Sequence, residues 1–549
     1  MQLPQPKLPP YDVAEWLKKP FQERLKWVCQ AWAIQGYGTP GGVYAVYLIK
    51  IVFYVAVWLF FCGFSQHLGG PSTIGTWWHD IDALKRAVLW SMAFEVLGLG
   101  CGSGPLTGRY YPPVGGFLYF ARPRTTKAPL FPRLPLLGGH RRTPLDVGLY
   151  LAYLALLFRA LVAPEISPYH VLPIAIILPV LGICDKTIFL ASRAEHYFSV
   201  AVCCLFPLST LPAAKAVWLA IWFWAATSKL NNHFPAVICV MISNSPVLGV
   251  LRRRMYRGYP DDLRPSRLAH LMAHAGTLTE YMFPALLAFG TGGKVTLVAL
   301  VVMLGFHLFI TSNIPMAVPI EWNVIMVYGG FVLFGHHAGV RFWDVSSPEL
   351  TAYLLFALVV LPIVGNVAPR FVSFLVSMRY YAGNWAYGVW LFKGESLQKL
   401  DKGVVKSAPL VQDQLRKFYP DLTATALLSK VIAFRAMHLH GRALNELIPK
   451  AVDNIEEYTW LDGEIVGGLV LGWNFGEGHL HNEPFIQALQ AQCHFAPGEV
   501  RCILVEAQPM FQRTLSYRIV DASQGEIDRG EIAVSSLINK QPWCTERDT

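Results

Sequence analysis

The sequence predicts an all-α polytopic membrane domain of about ten helices, followed by a smaller soluble domain of mixed α and β structure. Three observations predict this fold class. Hydrophobic residues make up 54% of the 549 residues and charged residues only 15%, far from the composition of an ordinary soluble enzyme. Apolar runs long enough to cross a bilayer recur along the first two thirds of the chain. After about residue 378, charged helical patterns and alternating, turn-punctuated stretches replace them.

The first element, residues 1–42, is predicted to be an amphipathic interfacial segment. Apolar Trp16 and Leu25 occur among Lys18 and Lys19, as in a helix that lies on a membrane surface. A helix packed on the body of the protein explains the same pattern, so both interpretations stay open. The segment has no short apolar core followed by a small-residue cleavage site, and we expect no removable signal peptide.

The transmembrane helical domain is predicted over residues 43–378. Three regions rich in Lys and Arg lie at the N-terminus, at 109–146 and at 251–267. Because such loops stay in the cytoplasm, the even numbers of spans between them predict a cytoplasmic N-terminus. The net charge of +10 then reflects topology and contact with anionic headgroups, and no nucleic-acid partner is expected. The apolar stretches lie at about 43–65, 82–100, 147–164, 168–184, 197–212, 213–228, 268–290, 294–312, 322–341 and 350–375.

The last element, residues 379–549, is predicted to be a soluble α+β domain. Stretches such as "GEVRCILVEAQPMF" and "TLSYRIVDASQGEIDRGEIAVSSLI" alternate as strands joined by turns do. About 170 residues are enough for a separate fold. The ten cysteines show neither zinc-ligand spacing nor a disulfide framework, so we expect a reducing compartment.

Lys229 interrupts an apolar run in the stretch "FWAATSKLNNHFP", residues 223–235. A charge at the bilayer centre costs roughly 2.5–3.5 kcal/mol, and a helix break at that depth needs a protein-lined or wet cavity. We therefore predict a broken helix whose amine faces a binding site. Trp222, Trp224 and Phe234 are the predicted aromatic walls, which suit a quinone ring or a lipid headgroup boundary.

Further polar clusters lie within the apolar part of the chain. Asp185 and Lys186 also fit the end of a span at the headgroups, and a structural role explains His270 and His274 better than metal binding does. Asn313 is a candidate binding residue. The clusters are Asp185 and Lys186 with Arg193, Glu195 and His196; His270, His274 and Glu280; and His307 with Asn313, Glu321 and Asn323.

Four stretches of the membrane domain carry a resemblance to a known family. In chain order they are "CDKTIFLASRAEHYFSV", "FWAATSKLNNHFP", "HAGTLTEYMFPALLAFG" and "GFHLFITSNIPMAVPIEWNVIMV". They resemble the central motifs of the transmembrane domain that vitamin K-dependent gamma-glutamyl carboxylase shares with its bacterial relatives in the HTTM superfamily. Within that superfamily the chain is similar to a group of bacterial transmembrane proteins of about this length. The resemblance implies a multi-pass protein of the bacterial plasma membrane.

The resemblance also implies roles for individual residues. Lys229 takes the place of the base that deprotonates the hydroquinone. His196, which follows Asp185 in the first motif, would assist at the same site, and His307 matches a further histidine. The implied reaction is oxygen-dependent quinol epoxidation coupled to carboxylation of a glutamate. Ser228 departs from the pattern, since the carboxylase has a second lysine there.

The tail contains a separate candidate metal site. His438 and His440 form one His-x-His pair, and His479 and His481 form another with Glu483 beside it. Converging histidine and carboxylate ligands suit zinc or another divalent metal. The first pair lies in a helical pattern, where side chains two positions apart diverge, so surface histidines are an alternative explanation.

Three functional hypotheses stay open. The first is a carboxylase- or epoxidase-like membrane enzyme that acts on a quinol or lipid, with a quinol or bound lipid as its cofactor. The second is a non-catalytic transport protein for lipids or small molecules. The third is a membrane scaffold whose C-terminal domain binds a protein partner. Only the first hypothesis accounts for a base within the membrane, but similarity of fold does not establish function.

Overall fold

The structure of the chain is a computed structural model that describes residues 5–100, 102, 104–110, 115–116, 118–315, 319–475 and 477–544. Two helices precede the first long apolar helix, α1 Val13–Leu17 and α2 Phe21–Gln35. The helices that follow, as far as residue 367, are α3 Gly41–Cys62, α4 Ile74–Trp77, α5 Ile81–Val96, α6 Pro144–Leu161, α7 Pro168–Cys184, α8 Lys186–Ala191, α9 Ser199–Cys203, α10 Thr210–Ser228, α11 Phe234–Asn244, α12 Arg252–Met255, α13 Arg267–Phe289, α14 Gly293–Thr311, α15 Ile320–Gly330, α16 Pro348–Leu355 and α17 Leu361–Val367. Segments of π-helix lie at Ala194–Phe198, Phe331–His336 and Phe356–Val360.

The C-terminal part combines helices with an antiparallel sheet. Its helices are α18 Ser396–Gly403, α19 Val411–Arg416, α20 Asp421–Ala436, α21 Leu439–Ala451, α22 Gly463–Leu471, α23 Glu483–Cys493 and α24 Val534–Asn539. A small hairpin, β1 Tyr256–Gly258 and β2 Asp262–Pro265, belongs to the preceding part. The five-stranded sheet has the order β4-β3-β5-β6-β7, with β3 Tyr387–Lys393, β4 Tyr458–Asp462, β5 Val500–Val505, β6 Thr514–Asp521 and β7 Gly525–Ala533.

Fewer helices are long and apolar enough to span a membrane than the sequence predicts. Within the described ranges there are four, and up to five if the bent pair α20–α21 counts as one span. The prediction of about ten spans is therefore wrong. The four helices are Gly41–Cys62, Pro144–Leu161, Gly293–Thr311 and Pro348–Val367, the last of which is formed by α16, a π-helical segment and α17.

The other apolar stretches fold into helices that are short, broken or rich in polar side chains. α5 has only 16 residues and buries Asp82, Arg86 and Glu95, while α7 ends after 17 residues. A stretch predicted as a span at 197–212 is instead the five-residue α9 and the turn after it. α5 lies inside the bundle, where neighbouring helices rather than lipid surround its polar groups, whereas α7 keeps an exposed apolar face with Leu172 and Ile176.

The N-terminal helices pack on the body of the protein. α2 buries Leu25, Val28 and Trp32, and the Trp32 ring lies 5.7 Å from that of Phe434 in α20. One continuous hydrophobic core joins the N-terminal helices, the membrane helices and the C-terminal sheet. The domain boundaries predicted at residues 42 and 378 remain predictions. Contacts cross both of them, as between α2 and α20.

Candidate functional site

The helix break at Lys229 is built from polar side chains that satisfy the freed backbone. α10 ends at Ser228, and α11 begins at Phe234. Oδ1 of Asn231 accepts hydrogen bonds from the backbone N–H groups of His233, at 2.7 Å, and Phe234, at 3.1 Å. Pro235, in the first turn of α11, has no N–H group to satisfy. The local sequence thus stops one helix and starts the next without leaving these donors unpaired.

Lys229 forms a buried ion pair with Glu280. Nζ of Lys229 donates a hydrogen bond to the Glu280 carboxylate on α13, and the two side chains are only 9% and 4% exposed. The amine also lies 5.5 Å from the ring centre of Phe234 and 5.2 Å from that of Phe306. Aromatic walls and low exposure strengthen the attraction between the two charges.

His307 follows Phe306 in α14 and is held at both ring nitrogens. Nε2 accepts a hydrogen bond of 3.1 Å from the indole N–H of Trp222, and Nδ1 lies 2.7 Å from Oδ1 of Asn323. The amide nitrogen of Asn323 donates to the Pro319 carbonyl at 2.8 Å, which turns Oδ1 towards the imidazole. This network requires the proton of neutral His307 to be on Nδ1. Phe306, the residue before His307, contacts the Lys229 amine.

His196 lies in the π-helical segment Ala194–Phe198 and is fully buried. Its ring centre is 4.5 Å from that of Trp218 and 6.1 Å from that of Trp322. The His307 ring lies 6.3 Å from the same Trp322 ring, so Trp322 contacts both histidines. Neither ring nitrogen of His196 has a hydrogen-bond partner within the described part of the chain, and the same holds for the indole N–H of Trp322.

Charged groups border this cluster of histidines and tryptophans. Arg193 pairs with Glu195 at 2.7 Å, and its guanidinium lies 5.3 Å from the Trp322 ring centre. The hydroxyl group of Tyr380 donates to Glu195 at 3.3 Å. On α15, Glu321 lies 3.7 Å from Nζ of Lys50. Residues from distant parts of the chain therefore meet in one buried polar region.

Two predicted site residues form contacts with partners other than Lys229. Asp185 caps the N-terminus of α8, accepts a hydrogen bond from the Thr187 backbone at 3.0 Å and pairs with Arg142 at 2.6 Å. The indole N–H of Trp224 donates to the Leu358 carbonyl at 2.7 Å. Trp224 lies two residues after Trp222 on α10, and side chains two positions apart on a helix do not share a face. Both residues have structural partners of their own.

Asn313 lies just beyond the end of α14. Its amide nitrogen donates to the Phe309 carbonyl at 3.0 Å. Its side-chain oxygen is buried and has no hydrogen-bond partner within the ranges that the structure describes. Of the predicted aromatic walls, Trp222 contacts His307 and Phe234 contacts Lys229.

Sequence reasoning missed how these residues pair. It grouped Glu280 with His270 and His274, whereas the structure joins Glu280 to Lys229. It also gave no role to Trp322, which contacts both histidines. The available signal was that a carboxylate inside an apolar segment needs a cationic partner, and that Lys229 is a cation inside another apolar segment.

The tail histidines of the first pair are buried and hydrogen-bonded to groups that are not metal ligands. His438 lies 2.7 Å from the Tyr381 hydroxyl and 2.7 Å from the Phe434 carbonyl. Nε2 of His440 lies 3.2 Å from the Glu506 carbonyl, and its ring is 4.7 Å from that of His233. Burial of both rings removes the alternative that these are surface histidines.

The second pair lies beside a cleft that is lined by residues of β3, β5 and β6. His479 lies 3.3 Å from the Pro369 carbonyl, while His481 lines the cleft with Glu506 and Arg518. Burial lowers the pKa of His479 to about 4 and that of His481 to about 3. Burial also raises the pKa of Glu506, although Arg518 opposes that shift.

Metal ligation is not supported by the arrangement of these residues. Glu483 pairs with Arg518 at 2.9 Å instead of facing the histidines. Across the described ranges, no group of three or more His, Cys, Asp or Glu residues is placed to hold a metal ion. The divalent-metal site stays a prediction.

Comparison with known proteins gives one match of full length. The family described as "Transmembrane protein of unknown function (DUF3556)" matches residues 1–549. No curated protein and no solved structure matches the chain.

Proposed function

The chain belongs to the DUF3556 family of transmembrane proteins, and from this premise we propose that it is a membrane enzyme acting on a quinol or lipid. The proposed site is the buried region that contains Lys229, Glu280, His307 and His196. The observation that carries the proposal is that His196 and His307 share the Trp322 ring, while the amine of the Lys229–Glu280 pair lies against Phe306, the residue before His307. The similarity of the four motifs to the HTTM superfamily and its carboxylase supports the same residues.

The ion pair provides a way to generate a base inside the membrane. In the proposed resting state, Lys229 carries an ammonium group and Glu280 a carboxylate. Transfer of that proton to Glu280 gives two neutral groups, which a low-dielectric environment favours over two charges. The free amine then accepts a proton from a weakly acidic hydroxyl group of the substrate. Glu280 thus serves as the proton store for Lys229.

His307 fits a role in orienting the substrate rather than in removing its proton. Both of its ring nitrogens already have partners, Trp222 and Asn323. The tryptophan rings beside it offer flat apolar faces, which suit an aromatic head such as a quinol ring. This arrangement would hold a hydroxyl group near Lys229 while the ring stacks on the indoles.

His196 supplies buried ring nitrogens to which a bound molecule would hydrogen-bond. A buried donor or acceptor without a hydrogen bond costs about 1–3 kcal/mol, and both ring nitrogens of His196 are in this state among the described residues. A second hydroxyl or carbonyl group of the bound molecule would satisfy one of them. A quinol carries two oxygens on opposite sides of its ring, so that one would face Lys229 and the other His196.

The experiment compares small molecules that copurify with three forms of the full chain. Wild-type protein, Lys229→Met and Lys215→Met are purified in mild detergent, and their bound lipids and quinones are identified by mass spectrometry. Lys215 is the matched control, because it is a buried lysine within α10 whose amine donates hydrogen bonds to the carbonyls of His337 and Val340. We expect Lys229→Met to accumulate one quinol or lipid that the other two forms do not retain.

An identical set of bound molecules in all three forms would contradict the proposal. A folded Lys229→Met protein is required for the comparison, so each form is first checked for a single species by size-exclusion chromatography. Accumulation in both lysine variants would indicate a general effect of losing a buried amine, and it would also count against Lys229 as the base.

A further inference from the structure

The loop between β5 and β6 presents apolar side chains to the outside of the protein. Phe511 is 82% exposed and Met510 is 40% exposed. They lie at the tip of the loop, between Pro509 and the exposed Gln512 and Arg513. Large apolar side chains at a loop tip of a soluble domain would be unfavourable in water. Their surroundings indicate what covers them.

A hydrogen bond joins the loop tip to the end of a membrane span. The backbone N–H of Met510 donates to the carbonyl of Asn366 at 2.9 Å. Asn366 lies in the last turn of the apolar helix Pro348–Val367, one of the four that are long enough to span a membrane. The tip of the loop is therefore at the level where that helix leaves the hydrocarbon core.

The base of the loop is fixed by side-chain amides. Asn384 and Gln508 exchange two hydrogen bonds, of 2.7 Å and 2.9 Å, between side chain and backbone. The amide nitrogen of Gln508 also donates to the Gln512 carbonyl at 2.6 Å, and its oxygen lies 2.8 Å from Nε2 of His233. These bonds hold the tip in place without covering it.

The neighbouring segment after the span has the same character. Phe371 is 65% exposed, and the Arg370 guanidinium lies 4.6 Å from its ring centre. Aromatic rings next to arginines are typical of the boundary between hydrocarbon and headgroups, where the ring enters the apolar layer and the guanidinium meets phosphates. Phe371 and Phe511 are both next to the end of one span.

We propose that Met510 and Phe511 insert into the bilayer beside Phe371, so that the C-terminal domain is anchored in the lipid surface. The occupant of this surface is lipid and not another protein. The anchor places the sheet against the bilayer independently of any reaction at Lys229, so it does not depend on the proposed function.

Nitroxide accessibility in proteoliposomes tests the proposal with the full chain. Phe511→Cys is spin-labelled, and the signal of the identically treated parent chain is subtracted. The control is Ile527→Cys, which is also an exposed apolar position, at 42%, but lies on β7. Collision rates are measured with oxygen, which concentrates in lipid, and with a water-soluble nickel chelate.

We expect the label at position 511 to collide more with oxygen than with the nickel chelate, by severalfold relative to the label at position 527. Phe371→Cys should behave as position 511 does. A label at position 511 that collides freely with the nickel chelate would overturn the proposal, because the loop would then be in water. A label shielded from both reagents would also overturn it, because a protein surface would then cover the loop.

Discussion

Lys229 and Glu280 illustrate how a single buried pair constrains both partners. Each charge is stabilised mainly by the other, since their side chains are almost completely buried. Removal of one partner leaves an uncompensated charge in a low-dielectric region, whereas removal of both leaves none. The stability of variants at these two positions therefore should not be additive.

We predict that Lys229→Met and Glu280→Gln each lower the free energy of unfolding by about 3–5 kcal/mol, and that the double variant recovers part of that loss. Thermal unfolding in detergent measures the effect. Arg24→Met is the control, because Arg24 pairs with the half-exposed Glu456 and such pairs contribute about 0–1 kcal/mol. Strictly additive losses in the double variant would show that the two residues do not depend on each other.

A second residue-scale prediction concerns pH. His479 and His481 have folded pKa values of about 4 and about 3, against an ordinary value of 6.5, so the unfolded chain binds protons first as the pH falls. Each histidine should therefore lower stability by about 1.4 kcal/mol per pH unit, beginning near pH 6.5. The losses end near pH 4 for His479 and near pH 3 for His481.

The pH dependence is measured as the unfolding midpoint between pH 7.5 and 5. His481→Gln should make the dependence shallower, whatever its effect on the midpoint itself. His67→Gln, at an exposed histidine, serves as the control and should leave the dependence unchanged. An equal slope for wild type and His481→Gln would mean that this imidazole is accessible to protons in the folded state.

Sequence patterns identified the individual polar residues better than their partners. Lys229 stood out because an amine interrupts an apolar run, and the helix does break there. Glu280 lies on a different helix, and no spacing rule links the two positions. His196 and His307 came from the family resemblance, but their shared contact with Trp322 depends on how three helical segments pack, which a single sequence does not contain.

At the scale of elements, close packing between α10 and α15 positions the tryptophans of the candidate site. The indole N–H of Trp218 donates to the Met326 carbonyl at 3.1 Å. Gly329 lies one turn further along α15, where an added Cβ would approach the Trp218 ring to 2.3 Å. Only a glycine permits this approach, and Trp218 in turn contacts His196.

We predict that Gly329→Ala destabilises the protein by about 1–3 kcal/mol, as overpacking of a core does. Differential scanning measurements on purified protein report the change. Gly276→Ala on α13 is the matched control, since an added Cβ there meets no atom within 4 Å, and it should be neutral or stabilising. Equal behaviour of both variants would mean that Trp218 moves aside without cost.

Periodicity predicted element types better than it predicted spans. β5, β6 and β7 lie within the two stretches singled out for alternation, whereas β3 and β4 were missed because their flanks resemble helices. The count of ten spans failed because hydropathy alone does not fix where a helix ends. The stretch at 168–184 gives a helix of 17 residues, and the stretch at 197–212 gives the five-residue α9 and a turn.

At the scale of the whole molecule, contacts between the two ends of the chain fix their relative location. Arg24 pairs with Glu456 at 2.6 Å, and the side-chain oxygen of Gln22 accepts a hydrogen bond from the Cys544 backbone at 2.9 Å. Both ends must therefore lie on the same side of the membrane. The four helices of spanning length found among the described residues, an even number, agree with this requirement. The bent pair α20–α21, whose helices meet at an angle of 102°, is not counted as a fifth span. α20 packs on α2, and α21 packs on β5.

We predict that both ends lie in the cytoplasm, as the charge distribution indicates. Glu15→Cys and Glu531→Cys place thiols at exposed positions near each end. In intact cells neither should react with a membrane-impermeant reagent, and both should react after permeabilisation. Reaction at one site alone would contradict the contacts between the ends, and reaction at both would reverse the orientation.

The packing of α2 against α20 has a consequence for the order of assembly during synthesis. α2 leaves the ribosome near the start of translation, and α11, which packs on one side of it, follows before the last two membrane spans. α20, which covers another side, emerges only after every membrane span has been made. Until then the side of α2 that faces α20, with Val28 and Trp32, needs a chaperone or the lipid surface. A nascent chain that stops before residue 421 keeps that face uncovered, so premature termination should mark the product for proteolysis rather than release a working membrane domain.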